Sequence, residues 1–418
     1  MASEEKRYIL KNSQDILKSV GSFCNYYHLI KKYIDLREIK SSLDRGAFAR
    51  PQFMLNREIY YFLGQKRDKL SYAYGPEIGD VTVREKICKV ENLKHKTSYL
   101  PENIAIVAGA WSGVELVIEE LADLRKGKTK DFTVAVIGPT HYQMFHRAIN
   151  MLGVNVVGFD FVKPSMGSTP KTTDEIDDIL KINPNAIFVT NPNNPNGEYF
   201  PSKLLKYLIE ICQEKNIYVI IDEIQDFFIS DKLGLNYSKW VQSPNVIRID
   251  SFSKKRGIAE YRVGWVIADK KILGDRLTGV IGRLSGLMGN APRAANTIIC
   301  KLLDLEEKHI KTGIDYFKPV ETSLKKRENY IIERLKSMPG VEILPRGACI
   351  NLTVKIKYPK TDFELSSDLM NNGTLIMPCG GYGYAAADVI MRITFAERWK
   401  KLQHSMNALK SVLISSQK

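Results

Sequence analysis

The sequence predicts an α/β protein in which helices flank a large, mostly parallel sheet, with a smaller α+β domain attached. Three observations carry this. Between residues 103 and 268 short β-branched runs alternate with amphipathic helical stretches, and the runs are apolar throughout rather than at every second position. Strands of that kind are buried on both faces, as in a parallel sheet covered by helices. Beyond residue 290 the texture changes to long helical patterns with a few isolated strands.

In chain order, the expected strands are IAIVAG (104–109), FTVAVIG (132–138), VNVVGFD (154–160), AIFVT (186–190), YVIIDE (218–223) and NVIRID (245–250). SGVELVIEELADLRK (112–126) and SKLLKYLIEICQEK (202–215) have the period of amphipathic helices between them. VEILPRGACINLTVKI (341–356) and the region from LIMPCGGYG to DVIMRITF read as strands, and the tail from Ala396 reads as a helix. The expected division is a large domain over residues 61–290 and a small one over 291–418. Residues 1–60 are expected to help complete the small domain and the pocket.

The chain has 418 residues, of which 44% are hydrophobic and 26% charged, ordinary values for a folded protein that needs neither disulfides nor metal to hold it. The net charge of +14 is spread along the chain without a block of five or six basic residues, which fits a solvated Lys-rich surface better than a nucleic-acid interface. Six cysteines lack C-x-x-C spacing, and six scattered histidines form no H-E-x-x-H, so no metal site is expected. The N-terminus lacks a signal-peptide core, and no apolar run approaches the roughly 18 residues of a membrane span. The expectation is a cytoplasmic protein in a reducing compartment, binding neither membrane nor nucleic acid.

Ligands of open α/β sheets sit outside the carboxyl ends of the strands. The polar residues at those ends are Asn194 in NPNNPNG, Asp222 closing YVIID, and Ser251, Ser253 and Lys254 after NVIRID; Gly109 and Ala110 open a helix after IAIV. An acid, an amide, a lysine and a helix N-terminus on one edge match the needs of a cofactor with a ring nitrogen, an aldehyde and a phosphate.

The chain resembles the class I/II aminotransferases of the aspartate aminotransferase superfamily, pyridoxal-phosphate enzymes of fold type I. The resemblance rests on YAYGPEIGDVTVREKI (72–87), VAGAWSGVEL (107–116), NPNNPNG (191–197), IIDEI (220–224), SFSKKRGIAEYRVGW (251–265), PRGACINL (345–352) and MRITFA (391–396), all in the family's order. It implies pyridoxal 5'-phosphate as cofactor and a free amino acid as substrate. Lys254 matches the Schiff-base lysine that also moves the Cα proton, which requires an amine that is partly neutral. Asp222 matches the acid that keeps the ring nitrogen protonated. Backbone N–H groups of Ala110 and Trp111, with Ser251, Ser253 and Arg262, match the phosphate site. Asn194 matches the amide that bonds the ring oxygen, and Arg392 the arginine that grips the substrate α-carboxylate. Tyr74 matches a tyrosine that reaches the phosphate of the neighbouring subunit, implying a homodimer.

The aromatic group that stacks on the ring has more than one candidate in GPTHYQMF. Tyr142 is the preferred one; His141, which holds the family's P-x-aromatic spacing, is the alternative, with Phe145 nearby. The chain departs from the family at three places. Gln225 stands where a tyrosine usually donates to the ring oxygen, Glu260 replaces a glycine, and residues 34–53 replace the glycine–proline segment that normally lines the substrate pocket. Transamination is the first expectation. The alternatives are carbon–sulfur or β-elimination, or cyclisation, oxidation or hydroxylation of an amino acid.

Overall fold

The computed structural model describes residues 8–35, 39–44, 75–125, 131–161, 165, 167–226, 235, 237–293, 295–347, 349–385 and 388–416. The six anticipated runs form strands β3 (Ile104–Val107), β4 (Thr133–Ile137), β5 (Asn155–Phe161), β6 (Ala186–Thr190), β7 (Tyr218–Asp222) and β8 (Val246–Ser251). With β1 (Tyr8–Lys11) and β9 (Gly264–Ile267) they make one eight-stranded sheet in the order β1-β5-β4-β6-β7-β8-β9-β3. The central pairings from β5 to β8 are parallel. All residues of β3, β6 and β8 are buried, because helices cover both faces.

Strand β9 lies outside the anticipated runs and is antiparallel to both β8 and β3. Its first residue explains its position. A Cβ on Gly264 would lie 2.7 Å from the backbone nitrogen of Ala110, so only glycine lets β9 pass this close to the start of helix Ala110–Leu124.

The N-terminal residues do more than the sequence suggests. Strand β1 pairs antiparallel with edge strand β5 and so extends the large sheet, while Lys11 reaches Asp160 at 2.6 Å. Ile9 and Leu10 are about half exposed, so no burial periodicity marks this strand in advance. Helix Ser13–Asp35 follows, and β2 (Ser41–Ser42) then pairs in parallel with β12 (Thr374–Leu375). The smaller sheet has the order β10-β11-β14-β13, from Val341–Ile343, Asn351–Ile356, Ile390–Thr394 and Met377–Pro378. The tail forms helix Trp399–Ser415. No helix among the described residues is long and apolar enough to cross a membrane.

Beneath the carboxyl edge of the large sheet lies a buried ion cluster. Arg248 of β8 donates to both carboxylate oxygens of Glu223 at 2.7 Å and pairs with Glu91 at 2.7 Å. These are fully desolvated charges, and removing one partner strands another. Glu223→Gln should therefore lose about 3 kcal/mol of stability in urea unfolding. A loss below about 1 kcal/mol would mean that Glu91 alone compensates Arg248.

Candidate active site

Parallel pairing of β7 with β8, in the register Asp222↔Ile249, brings the ends of both strands to one edge. A cavity of about 400 Å³ opens there between the large sheet, the small sheet and helix Ser13–Asp35. Ala110, Trp111, His141, Asn194, Asp222, Gln225, Ser253, Lys254, Arg262 and Arg392 all line it.

Lys254 sits in the one-turn helix Phe252–Lys255 that begins as β8 ends. Burial pushes its amine down to about 8, helped by the guanidinium groups of Arg392 and Arg262, while Asp222 pulls the other way. The next lysine has a different fate. Lys255 is buried against Asp250 as its ion-pair partner, and the carboxylates around it outweigh burial and raise its pKa. Asp222 accepts a hydrogen bond from the Ile224 backbone at 3.1 Å. Burial lifts its carboxyl to about 7; Glu223 adds to this, and the Ile224 N–H and Lys254 oppose it.

At the other end of the cavity, Gly109 caps helix Ala110–Leu124 with φ +85°. A Cβ there would stand 2.4 Å from Arg262 Nη2, so the glycine leaves room for the guanidinium beside the helix start. Arg262 donates to the backbone oxygens of Ala259 at 3.1 Å and Ala108 at 3.4 Å. Ser253 Oγ is buried without a hydrogen-bond partner among the described residues. An unmade bond of this kind costs about 1–3 kcal/mol, which marks a hydroxyl waiting for a ligand. Free helix N–H groups, a guanidinium and an orphan hydroxyl suit a phosphate.

Arg392 stands in the middle of β14, 4% exposed. Its Nη2 donates to the Asp44 carbonyl at 2.6 Å, and its Nη1 to Asn194 Oδ1 at 3.3 Å and to the Tyr382 hydroxyl. Its Nε has no partner among the described residues. A buried guanidinium fixed in this way suits a carboxylate ligand.

Two expectations change. Tyr142 does not line the cavity: it is wholly buried and its hydroxyl donates to Asp160 at 2.7 Å. The chain enters a one-turn 3₁₀ helix at Tyr142, and this sends the ring toward β5. His141 faces the cavity instead, stacked on Phe23 at 4.4 Å with a 12° interplanar angle. Burial, then Arg392, lowers its pKa to about 3, so the imidazole is neutral. Phe145 packs edge-on against Phe188 in the core. Ser251 is also not at the cavity: it is the N-cap of the Lys254 helix, accepting from Ser253 N at 3.1 Å. Tyr74 lies outside the described residues. Glu260 is exposed in the turn Ala259–Tyr261, where a side chain in place of glycine meets solvent.

Sequence reasoning missed Tyr27, Ile30, Asp44, Leu375, Met377 and Tyr382, which also line the cavity. None stands at the end of a large-sheet strand, so the rule that located the others could not reach them. Tyr382, between glycines in CGGYG, had a weak signal.

The model of the aminotransferase class I and II family matches residues 58–409. The chain belongs to this family. As an aminotransferase it is 24% identical over 345 residues to an aspartate aminotransferase of Pyrococcus horikoshii, covering 81% of this chain and 83% of that one. It is 25% identical to an aromatic aminotransferase of Arabidopsis thaliana over 76% and 77% of the two chains. An S-alkyl-thiohydroximate lyase of the same plant is 26% identical, covering 81% and 72%. In fold, this aminotransferase is similar to the aspartate aminotransferase of Thermotoga maritima, with TM-score 0.75, 21% identity, and 95% and 97% of the chains covered. It is therefore an α/β enzyme of the pyridoxal-phosphate-dependent transferase fold. When the aminotransferase loaded with pyridoxal phosphate is reduced with borohydride and its peptides are mapped, the label should fall on Lys254; label on Lys255 would refute the placement of the two lysines.

Proposed function

We propose that the protein is an aminotransferase that holds pyridoxal 5'-phosphate in this cavity and exchanges the amino group of a free amino acid. The observation that carries the reading is Lys254, an amine brought to about 8 in a cavity that also holds Asp222, Arg262 and Arg392. When bound, pyridoxal phosphate supplies an electrophilic aldehyde and a ring that withdraws electrons from the substrate Cα.

The chain's own residues supply the rest. The Ala110 and Trp111 backbone N–H groups, Ser253 Oγ and Arg262 hold the phosphate. His141, supported from behind by Phe23, offers its face to the ring, and as a neutral imidazole it adds no charge there. Asp222 keeps a proton on the ring nitrogen; a cation at that point favours its carboxylate, as Lys254 does in part. Asn194 and Gln225 are amide donors for the ring oxygen. Arg392 orients the amino acid by its α-carboxylate. The neutral amine of Lys254 would take the proton from Cα and, as the ammonium so formed, give it to the carbon derived from the cofactor's aldehyde, which leaves the amine neutral again. The same reading carries a cytoplasmic homodimer with Tyr74 of each chain at the neighbouring site. Elimination chemistry is the alternative raised by Gln225 and by the relative named as a lyase.

Supplying the loaded protein with an amino acid and a 2-oxo acid should yield the exchanged pair. Release of ammonia with a 2-oxo acid, without transfer to the acceptor, would replace transamination by elimination. Asp222→Ala should retain cofactor but lose at least about 100-fold in kcat, since the ring no longer stays protonated. Activity within threefold of the parent would remove that role.

Lys254 also sets a pH dependence. With a pKa of about 8, the amine is neutral in roughly 1% of molecules at pH 6 and roughly 90% at pH 9. Covalent uptake of pyridoxal phosphate by stripped protein, followed by absorbance, should rise about tenfold per pH unit below pH 7.5 and level off above pH 8.5. A flat profile would show that Lys254 is not the titrating nucleophile.

A further inference from the structure

Beyond the groups that serve the cofactor, the cavity has a second wall. Met377 is paired with Arg392 in the β13–β14 register, so the two side chains are neighbours on one face of the small sheet. Leu375, two residues back, lines the same cavity. Tyr27 and Ile30 enter it from the N-terminal helix, three residues apart and therefore on one helix face. Ile30, Leu375 and Met377 share one apolar cluster. An amino acid held at Arg392 by its carboxylate has these side chains next to its own.

The charge inventory is equally specific. Among the described residues lining the cavity the cations are Lys254, Arg262 and Arg392. All three are committed by the proposed function, on which this inference rests. A second carboxylate on the substrate finds no further cation among the described lining residues, and it meets Asp44, 5% exposed. The negative charge of Asp44 is felt nearby: the Tyr27 phenol is held up by burial first, with Arg392 opposing and Asp44 reinforcing. Burying an unpaired carboxylate beside another is costly. A cationic side chain fares no better. Asp44 already stands beside Arg392, with its carbonyl 2.6 Å from Nη2, and its carboxylate accepts the Ser42 hydroxyl. The Asp44 carboxylate also acts at a distance on Arg392, and a cationic side chain would find that one acid while lying against Ile30 and Met377.

We propose that the substrate is an amino acid with an uncharged apolar side chain, aliphatic or aromatic, which packs on Met377, Leu375, Ile30 and Tyr27 while Arg392 holds the α-carboxylate.

The test has two arms on the cofactor-loaded enzyme. Calorimetric binding of amine-free carboxylates should place 3-phenylpropionate and 4-methylpentanoate at least tenfold tighter than succinate, glutarate or 6-aminohexanoate. Met377→Arg, checked for retained circular dichroism and cofactor absorbance, should move the ratio at least tenfold toward glutarate. In the second arm, amino transfer to a common 2-oxo acid should favour leucine, methionine and phenylalanine over aspartate, glutamate and lysine. Equal or tighter binding of succinate, glutarate or 6-aminohexanoate overturns the inference. So does faster transfer from aspartate, glutamate or lysine, which leaves the aminotransferase reading standing. If the apolar acids bind best and no amino group is transferred, the reading of the reaction falls and the substrate class stands.

Discussion

Parallel hydrogen bonding between β7 and β8 is the constraint on which the rest of the site depends. It sets Asp222 opposite Ile249 and delivers the Lys254 helix to the same edge of the sheet. The strands are anchored below by Arg248, which is fully buried between Glu223 and Glu91, and by Lys255 against Asp250. Glu223 adjoins Asp222 and Lys255 adjoins Lys254. Asp222 and Lys254 thus each adjoin a residue held in a buried ion pair, and breaking such a pair would strand a buried charge beside them.

The same burial that orders the edge tunes its chemistry. Desolvation lowers Lys254 to about 8 and raises Asp222 to about 7, so two groups that differ greatly in water approach each other in proton affinity. Surface cations would not do this. The neighbouring Lys255, buried but paired with Asp250, is driven upward instead, because the carboxylates around it outweigh burial.

The N-terminal helix links the two sheets and gives the pocket its character. Phe23 supports His141 from behind, and Tyr27 and Ile30 line the cavity. Strand β1, before the helix, joins the large sheet, and β2, after it, pairs with β12 in a separate two-stranded sheet. Met377 stands on the same small sheet as Arg392, so this part of the wall keeps a fixed relation to the guanidinium.

The sequence by itself determined six of the eight strands of the large sheet, because apolar β-branched runs have few other places to be buried, while β1 and β9 lie outside those runs. It also determined which polar residues stand at the strand ends, and the resemblance of SFSKKRG to the family's lysine loop singled out Lys254 as the expected Schiff-base lysine. The tertiary structure decided what local patterns do not encode. A one-turn 3₁₀ helix turns His141 into the cavity and Tyr142 into the core, although both are aromatic and adjacent. Ser251 reads as a ligand of the phosphate but spends its hydroxyl on capping the helix. Tyr27 and Asp44 come from the N-terminal segment and Met377 from hundreds of residues later, and they meet only when that segment packs against the C-terminal part of the chain. Periodicity and strand ends report what each segment buries along its own length; which side chains share a cavity depends on how distant segments pack, and that is a property of the folded chain alone.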